Sequence, residues 1–432
     1  MADFTRTDVA HLLRRAAFGG TAAEIDDLAG EATWAAVVDR VLDTTANPPD
    51  PIPPAVDDRT DEWWAPFVAG VHHWMNRMAT SPTPVVEKAT LFWHSNLASS
   101  IDDVLPRLVF RQIRTYRARA LGDVHALLQA MAKDPAMLIY LSNADNVAAE
   151  PNENFARELM ELFTLGNGAF AESDVVAMAR AWTGHNLDAS GEAYAFRPDD
   201  HDTGLKTLFG ITRNWDGPAT ITEIVRGSQQ RTCARFLAAK WWSFLAYPAP
   251  SAALVDDLAS AFIAGGMRTD ALLRAILLRP EFRLASTRTA LVRSPVEWLV
   301  AVMRALDLTA EELHPEWWVD RLGQVLYRPP NVSGWKQNAA WISTSTQWGK
   351  GQLASYLRWS ATEAGVFGDV GTKTPAAAAQ AMFDRFGVDA PSSATRQRVV
   401  EFVTRERAAG RSWAVAPGLV ALGMLAPDVQ IA

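Results

Sequence analysis

The stretch Asn152-Glu153-Asn154-Phe155-Ala156-Arg157-Glu158-Leu159-Met160-Glu161-Leu162-Phe163-Thr164-Leu165-Gly166 places acids, amides and a guanidinium at helical spacing. At about 100° per residue, Asn154, Arg157, Glu158 and Glu161 share one sector, with Glu153 at its edge. Phe155, Leu159, Leu162 and Phe163 fall opposite. Glu158 and Glu161 are one turn apart, so their carboxylates can converge. Two such groups can bind a divalent metal or divide into a general acid and a general base. The plainer alternative is an amphipathic helix with its charged face in water.

A second concentration of chemistry lies in Phe196-Arg197-Pro198-Asp199-Asp200-His201-Asp202-Thr203-Gly204-Leu205-Lys206. His201 beside Asp202 supplies an imidazole and a carboxylate for a metal or for proton transfer, and Lys206 adds a cation. The alternative is a solvated turn. His94, in Phe92-Trp93-His94-Ser95-Asn96, and His185, after Trp182-Thr183-Gly184, are further candidates. His72 and His73 are adjacent on a helix and diverge, which argues against a shared metal. Glu311 and His314 show the Glu-x-x-His spacing of two-metal bundles, but in a single copy before Pro315. No Gly-x-Ser-x-Gly elbow, phosphate-binding Gly-x-x-x-x-Gly-Lys or His-Glu-x-x-His motif occurs. The single cysteine, Cys233, excludes an intrachain disulfide and a Cys-based zinc site, and reads as a small buried apolar residue.

The elements that must position these groups are helical almost throughout. Thr7 is expected to cap a first helix ending near Gly19-Gly20, and Thr21 with Glu24 forms a capping box for the next. After Ala32 to Leu42 comes a Pro-rich link, Pro48 to Pro54, that cannot be helical throughout. Helices are expected at 60–79, 84–98, 105–120, 122–131, 153–165, 172–183 and 220–245. Later ones are expected at 251–264, 269–278, 293–305, 316–326, 345–361, 374–386 and 393–408. Strand signals are confined to Ala193 to Arg197, paired with Thr207 to Phe209 in a short hairpin. The fold class is therefore all-α: a large irregular multi-helix domain with a long loop insertion over 184–218. A composition shift near 365 divides a main domain, 1–365, from a C-terminal helical appendage, 366–432.

Composition bounds the function. The chain has 432 residues, 49% apolar and 21% charged, and a net charge of −8. Without a dense Lys/Arg stripe, duplex DNA is not an expected partner. No run of about twenty apolar residues suggests membrane insertion. The start, Met1 to Asp8, lacks a signal-peptide pattern, so a cytoplasmic location is expected. The 17 Trp are unusually many and suit either helix packing or platforms for sugars. Tyr327 to Trp335 is expected to be a structured loop, because Pro329 and Pro330 restrict it and Trp335 needs cover.

Taken in order, several of these pieces resemble the bacterial domain of unknown function family 1800. They are His11-Leu12-Leu13-Arg14-Arg15-Ala16-Ala17-Phe18-Gly19, Phe92 to Asn96, Asn152 to Leu162, Asp174-Val175, Ala181 to Gly184, His201-Asp202-x-Gly204-x-Lys206 and Pro329-Pro330-Asn331-Val332-Ser333-Gly334-Trp335. The resemblance covers roughly residues 7 to 360. It implies no settled function. It does imply relatives that are often larger and exported, and a partner protein resembling sulfatases. This chain departs from the pattern at Phe163, where many relatives carry His, and at His185, where they tend to carry Trp. The first departure weighs against a metal at Glu158 and Glu161.

Three functions follow. In the first, Glu158, Glu161, His201 and Asp202 are catalytic in a hydrolase or lyase acting on a small polar molecule or carbohydrate. Asn154, Arg157, His94, His185, Lys206 and Trp335 then bind substrate. In the second, the same charges form ion pairs of a non-catalytic scaffold or partner protein. In the third, His94, His185 or His201 serve a metal or haem redox centre. Both of the first two expect the 201–206 loop to cover the polar face of the 153–165 helix.

Overall fold

Helix starts follow side-chain chemistry. Thr21 caps Ala22–Ala29 and forms the expected reciprocal pair with Glu24. The first helix, Arg6–Ala16, begins earlier than expected, because Thr5 and Asp8 form the capping box and the Thr7 hydroxyl bonds Asp389 instead. The computed structural model describes residues 3–50 and 63–431. Met1, Ala2, Pro51 to Pro54 of the Pro-rich link and the first residues of the expected 60–79 helix lie outside them.

The chain is all-α: among the described residues, 23 α-helices accompany four strands of three residues each. The span expected as one helix over 220–245 is two, Gly217–Arg226 and Gln230–Leu245. Glu223 turns its carboxylate back to the Ser228 N–H at 2.7 Å, and a Cβ at Gly227 would lie 2.5 Å from that carboxylate. Val415–Leu425 is a helix that periodicity misses, since its run is apolar on every side.

The hairpins differ from expectation in their pairing. β1 (His185–Leu187) pairs antiparallel with β2 (Tyr194–Phe196). β3 (Lys206–Leu208) pairs with β4 (Ile211–Arg213) rather than with β2. Phe209 and Gly210 both take positive φ, the backbone that a two-residue hairpin turn needs.

Packing claims most of the tryptophans. Trp74, Trp93, Trp182, Trp215, Trp241, Trp242 and Trp298 are fully buried, and Cys233 is buried among them as expected. The Pro84–Asn96 helix is central: every residue from Val85 to Asn96 except Ser95 is buried. At the C-terminal end, Val292 bridges Ile431, and the Arg293 N–H donates to Gln430 O at 2.9 Å. No helix among the described residues is long and apolar enough to cross a membrane.

Candidate functional site

The 153–165 segment folds as a short α-helix, Asn154–Glu158, that widens into a π turn, Leu159–Thr164. Such turns are uncommon and concentrate at functional sites. Glu158 and Glu161 are half-buried neighbours. Burial, then the Glu161 charge, raises the Glu158 carboxyl above its usual range, against the pull of Arg157. Arg157 itself is spent on Glu153, at 3.0 Å, and on Glu172 of the following helix, Glu172–Ala181. Asn154 is exposed, its N–H donating to Asn152 Oδ1 at 3.0 Å.

The expected cover is not there. His201, Asp202 and Lys206 close on the far end of the Glu172–Ala181 helix. Asp202 accepts from Arg180 Nε at 2.6 Å, and its N–H donates to Thr183 Oγ1 at 2.8 Å. His201 Nδ1 lies 2.8 Å from the Thr183 carbonyl. The buried Lys206 ammonium donates to the Asp202 and Gly204 carbonyls, with the Asp202 carboxylate 3.8 Å away. The Arg180 bond lowers the Asp202 carboxyl, and burial lowers Lys206. No hydrogen bond or ion pair among the described residues joins Glu158 or Glu161 to His201 or Asp202. The physical reason is local: Arg180 and Thr183 capture the loop before it can reach the acids. His185 belongs to the β1–β2 hairpin, with Nδ1 2.9 Å from the Tyr194 hydroxyl, and burial pushes it down to about 4.

The two remaining candidates, His94 and Trp335, meet elsewhere, beside a cavity of about 580 Å³. It lies between the C-terminal half of Pro84–Asn96, the Gln230–Leu245 helix and the 333–338 loop. The 327–335 segment is packed as expected. Tyr327 is buried and donates to Gly70 O at 3.0 Å, and Trp335 is 6% exposed. Gly334 has φ +77 and is pressed so close that a Cβ would lie 2.1 Å from Ser95 O, so only glycine fits. This holds Trp335 edge-on to His94, ring centres 5.1 Å apart. His94 is fully buried among Trp74, Tyr327 and Trp335, with no hydrogen-bond partner at either ring nitrogen among the described residues. Burial holds it down to about 3, so it is neutral at pH 7.

Aromatic walls of the cavity come from Phe92, Phe236, Phe244 and Trp335, and polar groups from Ser95, Asn96, Lys240, Ser243, Gln337 and Asn338. No acid lines it. Lys240 donates to Asn96 Oδ1 at 2.6 Å and to Leu162 O at 2.7 Å, and its ammonium sits 4.7 Å from the Phe236 ring centre. Burial lowers it to about 8. The Leu162 carbonyl belongs to the π turn, where Leu165 and Gly166 both donate to Met160 O and leave it to an outside donor. The acidic helix thus reaches this site through a backbone carbonyl and not through Glu158 or Glu161. Asn96 Nδ2 is buried without a partner among the described residues. Sequence reasoning passed over Lys240. The available signal is that it is the one charge in the run Phe236 to Tyr247.

A family profile described as "Protein of unknown function (DUF1800)" matches residues 11–431, so the chain belongs to that family. No curated protein and no solved structure matches it.

Proposed function

We propose that this member of the DUF1800 family binds a small polar anion, a carboxylate of sugar-acid type, in the cavity on Lys240. One observation carries the reading. The Lys240 ammonium is mostly buried on the cavity wall, held by two neutral oxygens, and no carboxylate pairs with it among the described residues. A buried charge costs several kcal/mol unless an opposite charge compensates it. A ligand carboxylate supplies that charge. It would meet the third N–H of the ammonium and the unpartnered Asn96 Nδ2. Phe236, Phe244 and Trp335 supply faces for the ligand's apolar side.

The cavity speaks against a glycoside hydrolase. Hydrolysis of a glycoside through paired carboxylates needs two acids flanking the bond, and none lines this cavity. The test is calorimetric titration with glucuronate, galacturonate and glucose at pH 7. Binding of at least one sugar acid, absent for glucose and lost in Lys240→Met, is expected. Failure of both acids to bind, or equal binding by Lys240→Met, would overturn the reading.

A further inference from the structure

A second site joins His314, already marked by its Glu-x-x-His spacing with Glu311, to a histidine of the Trp64–Thr80 helix. We propose that His72, His314 and Glu316 bind a divalent metal ion of zinc type. His72 projects from the Trp64–Thr80 helix. His314 and Glu316 come from the junction of Ala310–Leu313 and Pro315–Leu322. One ligand atom from each lies within 4.8 Å of the others. The Glu316 carboxylate is 4% exposed and spans the two imidazoles, 2.7 Å from His72 Nε2 and 3.3 Å from His314 Nδ1. Ligands about 2.0–2.1 Å from a tetrahedral zinc lie about 3.3 Å apart, so three donor atoms within 4.8 Å of one another come to that spacing by small side-chain movements.

Three further features support an ion over a bare ion pair. Glu311 Oε1 lies 3.6 Å behind His72 Nδ1, and Asn76 Nδ2 holds Glu311 Oε2 at 2.9 Å. A carboxylate behind a ligating histidine is the arrangement that orients the ring toward a metal. His314 is held at φ +52 directly before Pro315, a left-handed backbone that side chains disfavour, and this turns its ring toward His72, ring centres 6.3 Å apart. Open space also reaches both sides: a cavity of about 720 Å³ borders His72 and Glu311, and one of about 310 Å³ borders His314 and Trp317. Two imidazoles and one carboxylate suit zinc over magnesium or calcium, and three protein ligands are the number found in zinc sites that keep one position open.

The test is calorimetric titration of the EDTA-dialysed full chain with ZnCl2, repeated with MgCl2. The wild type should take up one Zn2+ per chain at a dissociation constant on the order of micromolar or tighter, and no Mg2+. His314→Ala, at a half-exposed position, should fold normally and weaken zinc by about 10–100-fold or more. Glu316→Gln should do the same, and Co2+ added to the wild type should give a tetrahedral absorption spectrum that His314→Ala lacks. Lys240→Met should bind zinc like the wild type, so failure here and failure of the anion site are distinguishable. No saturable zinc uptake near one equivalent, or uptake unchanged in His314→Ala, overturns the proposal.

Discussion

The two ends of the Pro84–Asn96 helix are equally buried and differently satisfied. Near its start, Glu87 is fully buried and accepts from Trp74 Nε1 at 3.0 Å, Arg77 Nε at 2.5 Å and Arg117 Nε at 2.9 Å. Lys88 pairs with Glu297. Glu87 and Lys88 thus each have an opposite charge. Near its end, His94 has no partner at either nitrogen, Asn96 Nδ2 has none, and Asn96 Oδ1 meets a lysine that lacks a carboxylate, all among the described residues. Folding alone explains the first end, where closed networks lock helices together. The second end keeps polar groups at a cost that folding does not return, and it borders a cavity. Lys206 repeats the lesson, because the Asp202 carboxylate and three acceptors, the Asp202 and Gly204 carbonyls and Asn214 Oδ1, make it part of the fold.

Breaking a closed network should have the largest effect. Glu87→Gln should lose about 3–5 kcal/mol of stability, because Arg77 is left buried without its opposite charge and Arg117 keeps only Asp50. Lys240→Met should stay within about 1 kcal/mol of wild type, since it removes a buried charge that nothing compensates. Urea unfolding of the two variants checks the contrast, and equal losses would erase it. A middle-sized effect is expected at Asn96→Ala. Deleting one acceptor and one donor should weaken glucuronate about tenfold, on the order of 1.4 kcal/mol, in the same titration.

Smaller effects are set by pH. Lys240 is lowered from 10.5 to about 8, so between these values the unfolded chain binds a proton that the folded chain does not. Wild-type stability should therefore gain on Lys240→Met as pH rises through that window, while glucuronate affinity falls above pH 8. Urea midpoints across the window read the first, and calorimetry the second. His94 is lowered from 6.5 to about 3, so its contribution is present above pH 6.5 and is lost as pH falls toward 3. His94→Phe should flatten the acid limb by up to one proton. An unchanged limb would mean that the ring is not buried neutral.

How far the sequence could be read depends on the range of the interaction. Caps and periodicity act over a few residues, so the Thr21–Glu24 box, most helices and the packed Trp335 loop were legible. Val415–Leu425 was not, because an all-apolar helix has no period to detect. The candidate site failed at the next range. The nearness of Glu158 and Glu161 is local and follows from helical spacing, but the reach of the 201–206 loop depends on competition from Arg180 and Thr183, which spacing does not express. Lys240 meets Asn96 across 144 residues, and His72 meets Glu316 across 244. No local pattern connects such pairs.

Direct titration of the Lys240 ammonium by NMR, with and without saturating glucuronate, tests the anion site most closely. A midpoint near 8 is expected in the free protein, moving upward when the carboxylate binds. A free midpoint near the ordinary 10.5, or one that glucuronate leaves in place, would contradict it.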